Sequence, residues 1–372
     1  MARAAFAGEP VAAKDNSIGF LRLLLASIVL VGHAFYIQAP PVVADITPLK
    51  VDVPTIAVQG FFCISGFLVA TSLLRLQSIP RYLWHRFLRI VPALVGCLAF
   101  TAFVLTPILH VLKPEWVKGW WGLAELSGRY FLLNLLNTRN VIAVGPYPQS
   151  WNNDWNGSLW TLPYEIDCYL LLTPLALLGL LGRWKWVFTL GVAAVLTALF
   201  LEKVAGIAVN PAFLSKLYKT PGRLLVLHFM MGSLFALYPG FLVALQKRTW
   251  IGPLSAVLLI TSWFSPRNDV LSPCLFPIAI LWFAYRFPWP DFEKMLKGDY
   301  SYGIYIYGYP IAAFLSALNL QHPSFFYVST CVGLTLALAW LSWHVVEKHA
   351  LRLKDVSLPR SFSWPGLTGT GR

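Results

Sequence analysis

Charge is scarce in this chain. Only 12% of its 372 residues are Asp, Glu, Lys or Arg, while 57% are hydrophobic. Soluble domains carry roughly 25% charged residues, so a soluble globular fold is excluded. Acids are the scarcer sign, 16 against 29 Lys and Arg, which leaves a formal net charge of +13. In a soluble protein that excess would suggest a nucleic-acid partner. Here the basic residues fall in short loops between apolar runs, the positive-inside pattern of a membrane protein, and no nucleic acid is expected. Cysteine is also sparse. The five, Cys63, Cys97, Cys168, Cys274 and Cys331, each lie inside an apolar run. An odd number in such settings predicts neither a disulfide framework nor a metal site. The N-terminus lacks a short hydrophobic core followed by a small-residue cleavage site, so the first apolar run reads as a retained span. No internal repeat is visible.

What the chain has instead is a series of helix-length apolar runs, with aromatics at 15% and 16 Trp suited to interfacial belts as well as a core. The runs predict an all-α, polytopic membrane protein with about ten transmembrane helices. They fall near residues 16–37, 53–74, 90–112, 158–181, 184–201, 224–245, 250–264, 270–287, 300–318 and 325–346. The seventh and eighth are short or interrupted by proline. Residues 1–15 read as a cytoplasmic tail, 16–350 as the membrane domain, and 351–372 as a second, basic cytoplasmic tail. Residues 113–157 form the longest connection, with Trp116, Trp120, Trp121, Trp151 and Trp155. Its stretch Tyr130 to Leu136 is too short to cross and reads as re-entrant or interfacial. The Lys and Arg bias of the loops places both termini in the cytoplasm.

The first run is unusual because it carries Arg22 and His33. An ionisable residue inside a span is costly and points to function. Eleven residues place the two roughly 16 Å apart along the axis and about 20° apart around it, on one polar stripe. The plainer reading is a pair of snorkelling or core-satisfied residues. Glu165, in the fourth run, is expected at about the depth of His33, where a carboxylate would fix the tautomer of an imidazole acting as general base on a hydroxyl. A structural partner for Glu165 is the alternative. Asp167 points to another side. Arg86 and Arg89, at i and i+3, would present neighbouring guanidinium groups to a phosphorylated donor, or else simply anchor the cytoplasmic face. Tyr302, Tyr305 and Tyr309 form a stripe that reads as packing or as a site wall. Glu347 is expected to pair with Arg86 or Arg89. Ser158 is an N-cap or a relay.

These residues resemble the acyltransferase 3 family of integral-membrane carbohydrate O-acyltransferases, and the resemblance covers nearly the whole chain. Arg22 and His33 match its arginine, ten residues, histidine signature. GFFCISGFL at Gly60 to Leu68, RFLRIVP at Arg86 to Pro92 and SLWTLPYEIDCY at Ser158 to Tyr169 match its blocks in order, as do SYGIYIYGYP at Ser301 to Pro310 and SWHVVEKHALRLK at Ser342 to Lys354. One departure is Gly308, where many members have a histidine, so no role for that histidine transfers. The resemblance implies transfer of an acyl group, commonly acetyl, from acyl-CoA to a hydroxyl of a cell-surface or secreted carbohydrate or glycolipid. The acyl-CoA is a co-substrate, and no permanently bound cofactor is expected. It further implies catalytic roles for His33, Glu165 and Arg22, and donor binding by Arg86, Arg89, Tyr302 and Tyr305. The enzyme would sit in the cell membrane. The rival readings are a transporter or flippase of a lipid-linked sugar, which usually shows inverted repeats absent here, and a sensor or scaffold.

Overall fold

The computed structural model describes residues 16–38, 52–114, 119–136, 155–206, 221–265, 268–289, 292–318 and 324–355. Regular structure among them is helical throughout, with no strand. In order the helices are α1 (Ile18–Gln38), α2 (Val53–Leu76), α3 (Ile79–Leu112), α4 (Gly119–Leu136), α5 (Leu162–Leu177), α6 (Lys185–Lys203), α7 (Pro221–Leu237), α8 (Pro239–Lys247), α9 (Ile251–Ser262), α10 (Asn268–Arg286), the short α11 (Phe292–Leu296), α12 (Ser301–Ala317) and α13 (Phe325–Arg352). Helix ends follow local chemistry. Asp52 caps α2 by accepting the backbone N–H of Thr55 at 3.0 Å. Gln77 ends the same helix in the left-handed conformation, at φ 48°. A π-helical turn over Thr101–Leu105 lies within α3, and another over Trp343–Glu347 lies within α13.

Among the described residues five helices are long and apolar enough to cross a membrane: α1, α2, α3, α6 and α13. The predicted sixth span is bent by 89° between α7 and α8 and makes a sixth crossing only if the pair is taken together. Pro239 opens α8 and leaves no N–H to continue the ladder from α7. The predicted seventh span is only the 12-residue α9, roughly 18 Å long and short of a hydrocarbon core of about 30 Å. The count of ten is therefore not reproduced by length among the described residues. The stretch read as a short interfacial piece, Tyr130 to Leu136, is the end of the 18-residue α4. α10 continues through Pro273 and Pro277 as one 19-residue helix. Large apolar side chains such as Leu190, Val257, Trp340 and Val345 lie exposed on the outside, the surface a membrane protein turns to lipid.

Two glycines set how the core closes. A Cβ on Gly66 would lie 2.0 Å from the Phe229 carbonyl oxygen, and one on Gly232 would lie 2.1 Å from that of Cys63. α2 and α7 therefore cross backbone against backbone, the small-residue contact on which membrane helices rely when no hydrophobic drive separates them from lipid. α12, buried along most of its length, packs against α1 and α13. That places α1, α3 and α12 around one cavity. Residues 1–15, 356–372, Trp116 and Trp151 lie outside the described residues. Residues 351–355, the start of the expected basic tail, are helical, and Trp84 of α3 donates to the Leu353 carbonyl at 2.9 Å.

Candidate active site

The charged part of the site is built on an acid just before α12. Asp299 accepts the backbone N–H and the hydroxyl of Ser301 through Oδ1, at 3.2 and 2.6 Å. Such a local side-chain bond fixes the carboxylate against the helix start. Its Oδ2 then receives Arg22 Nη1 at 2.6 Å and Arg89 Nη2 at 2.7 Å. Burial alone would raise the Asp299 pKa; Arg22 and Arg89, with the Ser301 bonds, outweigh it and hold the carboxyl well below its ordinary 3.8. Arg89 also lies 4.0 Å from Glu347, whose other oxygen accepts the Ser342 hydroxyl at 3.0 Å. The expected pairing of Glu347 is thus with Arg89. Glu293 on α11 stands nearby, its pKa pushed up by burial and by Asp299 and partly restrained by Arg22 and Arg89.

Above this network opens a cavity of about 360 Å³. Its walls include Arg22, Arg86, Arg89, Glu165, Tyr302 and Tyr305, six of the seven residues for which the sequence implied a catalytic or donor-binding role. Arg86 and Arg89 do not act as a matched pair, because they take different partners. Arg89 is spent on Asp299 and Glu347. Arg86 places its guanidinium 5.7 Å from the Tyr169 ring centre and forms no ion pair among the described residues. The Tyr169 hydroxyl donates to Glu165 and lies 3.3 Å from the Ser65 hydroxyl. The Tyr169 backbone carbonyl accepts the Tyr82 hydroxyl at 3.0 Å, which ties α5 to α3. Tyr302 donates to the Ile90 carbonyl at 3.1 Å. Tyr305 donates to the Ser158 carbonyl at 2.9 Å and also meets the Thr161 hydroxyl.

His33, the seventh, is not in the cavity wall. Its ring meets Tyr309 edge-on at 5.1 Å, and its Nδ1 is buried with no hydrogen-bond partner among the described residues. No hydrogen bond joins it to Glu165, whose partner is Tyr169. Equal depth along two helices fixes a level but not a direction, and Glu165 shares its surroundings with Ser65 of α2 and Arg86 of α3. The tyrosine stripe of α12 makes the connection instead. Tyr302 and Tyr305 line the cavity and Tyr309 reaches His33, seven residues or roughly 10 Å further along. At Gly308 a Cβ would lie 2.9 Å from Leu30 Cδ1, so Leu30 fills the space a larger side chain would need. Ser158 caps no backbone N–H; its hydroxyl is buried and without a partner.

Two residues of the site were not anticipated. Tyr169 had a signal, since it lies four positions after Glu165 and so on the same helical face. Asp299 had only its position beside the SYGIYIYGYP block, and nothing local relates it to Arg22, 277 residues away.

Comparison with known proteins gives the family. A family model described as an acyltransferase domain matches residues 15–344. An O-acetyl transferase of Shigella phage Sf6 is 28% identical over 353 residues, which covers 91% of this chain and 96% of that protein. Nodulation protein 10 of Rhizobium leguminosarum bv. viciae is 31% identical over 375 residues, covering 94% and 96% respectively. No solved structure matches the chain. With the motif residues gathered around one cavity and the family model spanning nearly its whole length, the chain belongs to the acyltransferase 3 family of membrane acyltransferases.

Proposed function

We propose that this acyltransferase moves an acetyl group from acetyl-CoA to a hydroxyl of a cell-surface or secreted carbohydrate, or of a glycolipid, from a position in the cell membrane with both termini cytoplasmic. The observation that carries the reading is Arg86: a guanidinium in a cavity wall that is paired with no acid among the described residues. A donor phosphate is the kind of anion such a group binds, by parallel N–H bonds to two oxygens. The cavity lies at the low end of the roughly 300–1,000 Å³ of ligand pockets. It suits the thioester end of the donor better than the whole nucleotide.

The thioester is then carried along Tyr302 and Tyr305 towards Tyr309. At that end the unpartnered Nδ1 of His33 accepts the proton of the acceptor hydroxyl. The hydroxyl oxygen forms the new C–O bond to the acyl carbon, the C–S bond breaks, and the released thiolate takes up a proton. Glu165 serves in the donor cavity, where with Tyr169 it supports Arg86. Arg22 and Arg89 hold the cavity floor together through Asp299.

The test is turnover of acetyl-labelled acetyl-CoA by purified protein in nanodiscs, with and without a carbohydrate acceptor. Labelled ester on the carbohydrate, with free thiol released in equal amount, is expected. Unchanged acetyl-CoA in the presence of membrane glycans from the source cell would overturn the reading.

A further inference from the structure

A second hollow, of about 450 Å³, lies among α5, α6 and α7 and shares no residue with the donor cavity. Every side chain that lines it is Leu, Val, Phe or Met, with one glycine, Gly191. Such a surface does not hold water. Leu171 and Val187, in its wall, are exposed, so it opens on the outer face of the helices, where lipid lies. Gly191 keeps it open. A Cβ there would meet nothing within 4 Å, and the residue is not left-handed. Neither close packing nor a special backbone angle therefore requires a glycine, which is less stable inside a helix than alanine. What it supplies is room.

Lys185 stands at one end of the hollow. Phe188 and Val192 follow it at three and seven positions, on its own face of α6, and both line the wall. The Lys185 ammonium donates to the Leu237 carbonyl at 3.1 Å and lies 4.5 Å from the Tyr238 ring centre, which fixes it at the end of α7. Met230, seven residues before Leu237, lines the hollow from α7. The farthest lining residue of α6, Val195, is ten positions from Lys185. That is roughly 15 Å, half of a hydrocarbon core of about 30 Å. The hollow thus has the depth of one leaflet, with a cation at its headgroup end.

A second cation is close in sequence. Arg183 is exposed, with its guanidinium 5.5 Å from the Trp184 ring centre. Neither Arg183 nor Lys185 forms an ion pair among the described residues. An ammonium has three N–H donors, and Lys185 gives one to Leu237. Trp184 and Trp186, both exposed, are of the type that gathers at headgroup level.

We propose that this hollow binds one acyl chain of an anionic phospholipid, whose phosphate rests on Lys185 and Arg183. An apolar slot one leaflet deep takes the chain, and two cations without an acid take the phosphate. The site is separate from the acyl-transfer reading and does not depend on it. It bears on the fold because α7 crosses α2 backbone against backbone, and α2 supplies Phe61, Ser65 and Leu68 to the donor cavity. A chain lodged against α7 braces that crossing.

The test is native mass spectrometry and thermal melting of the purified full chain, titrated with phosphatidylglycerol or with phosphatidylcholine of the same chain length. For the wild type we expect one phosphatidylglycerol retained where phosphatidylcholine is lost, and a melting temperature that rises as phosphatidylglycerol is added. Gly191→Phe fills the slot without a backbone clash. It should melt no lower than wild type in lipid-free detergent and should lose the retained lipid; Gly191→Leu repeats the test with a smaller side chain. Replacing Arg183 and Lys185 together by Gln should weaken phosphatidylglycerol about fivefold for each charge removed and abolish its preference over phosphatidylcholine. Equal retention of the two lipids by the wild type would overturn the anionic headgroup. Retention unchanged in both Gly191 variants would overturn the slot, and so would a lipid-free dimer, which would mean that a second copy of the chain covers this face.

Discussion

Asp299 joins Arg22 to Arg89 through a single carboxylate oxygen, at 2.6 and 2.7 Å. Three elements that are far apart in sequence, α1, α3 and the start of α12, are thereby held at one point. The two arginines are 20% and 16% exposed and the acid 12%, so the cluster is largely out of water. Removing one member of such a group leaves its partners with unmatched charge, typically at a cost of about 3–5 kcal/mol.

Asp299→Ala should therefore lower the melting temperature in detergent more than a change at the unpaired Arg86 does. Arg22→Ala should do the same, and Arg22→Lys should recover part of the stability while losing the planar geometry of the guanidinium. Melting curves of the three variants side by side check this. An Asp299→Ala protein as stable as wild type would remove the bridge from the account.

Arg86 should behave in the opposite way to Arg89. Arg86→Ala removes an unpaired cation, so acetyl-CoA KM should rise tenfold or more with little change in melting temperature. Arg89→Ala should unfold more readily, because Asp299 and Glu347 lose their shared partner. Donor KM and thermal stability measured on both variants would settle the division of labour.

The bridge also sets a pH dependence. The Asp299 carboxyl is held below its ordinary 3.8. Its stabilisation is therefore fully present above the unfolded pKa and is lost only as pH falls through the lower folded value. The stability difference between wild type and Asp299→Asn should stay constant from pH 8 to about pH 5 and narrow only in stronger acid. A gap that closed between pH 7 and 6 would mean that another group carries the effect.

How much of this could be read from the sequence differs by residue. Run length and apolarity gave the helical membrane fold, and the spacing of Arg22 and His33 gave a stripe that runs from the charged cluster to Tyr309. The RFLRIVP block gave two arginines in one wall but not their separate partners, since those lie on other helices. Hydropathy ran unbroken from Leu224 to Leu245, and the 89° bend was signalled only by Pro239. The His33 and Glu165 pairing failed because depth in the membrane does not determine which neighbour a helix face meets. Asp299 was missed because a loop acid carries no periodicity, and its partners are set by tertiary packing alone.

Gly66 tests the packing that positions α2 against the cavity. Its place 2.0 Å from the Phe229 carbonyl, measured to a Cβ, leaves no room for a methyl group. Gly66→Ala should cost about 1–3 kcal/mol of stability, as overpacked cores do, and Gly128→Ala, where a Cβ meets nothing within 4 Å, should be tolerated. Equal melting temperatures for the two variants would show that α2 and α7 do not meet at Gly66.

The most direct measurement is the turnover of His33→Ala. General acid–base assistance is worth about 10²–10⁴-fold. Because His33 lies outside the donor cavity and its Nδ1 bonds to no group among the described residues, loss of the ring should leave donor binding in place. Transfer to a carbohydrate should fall at least a hundredfold, with acetyl-CoA affinity and melting temperature near those of the wild type. A purified variant that keeps more than about a tenth of wild-type transfer, against that 10²–10⁴-fold expectation, would show that His33 is not the base.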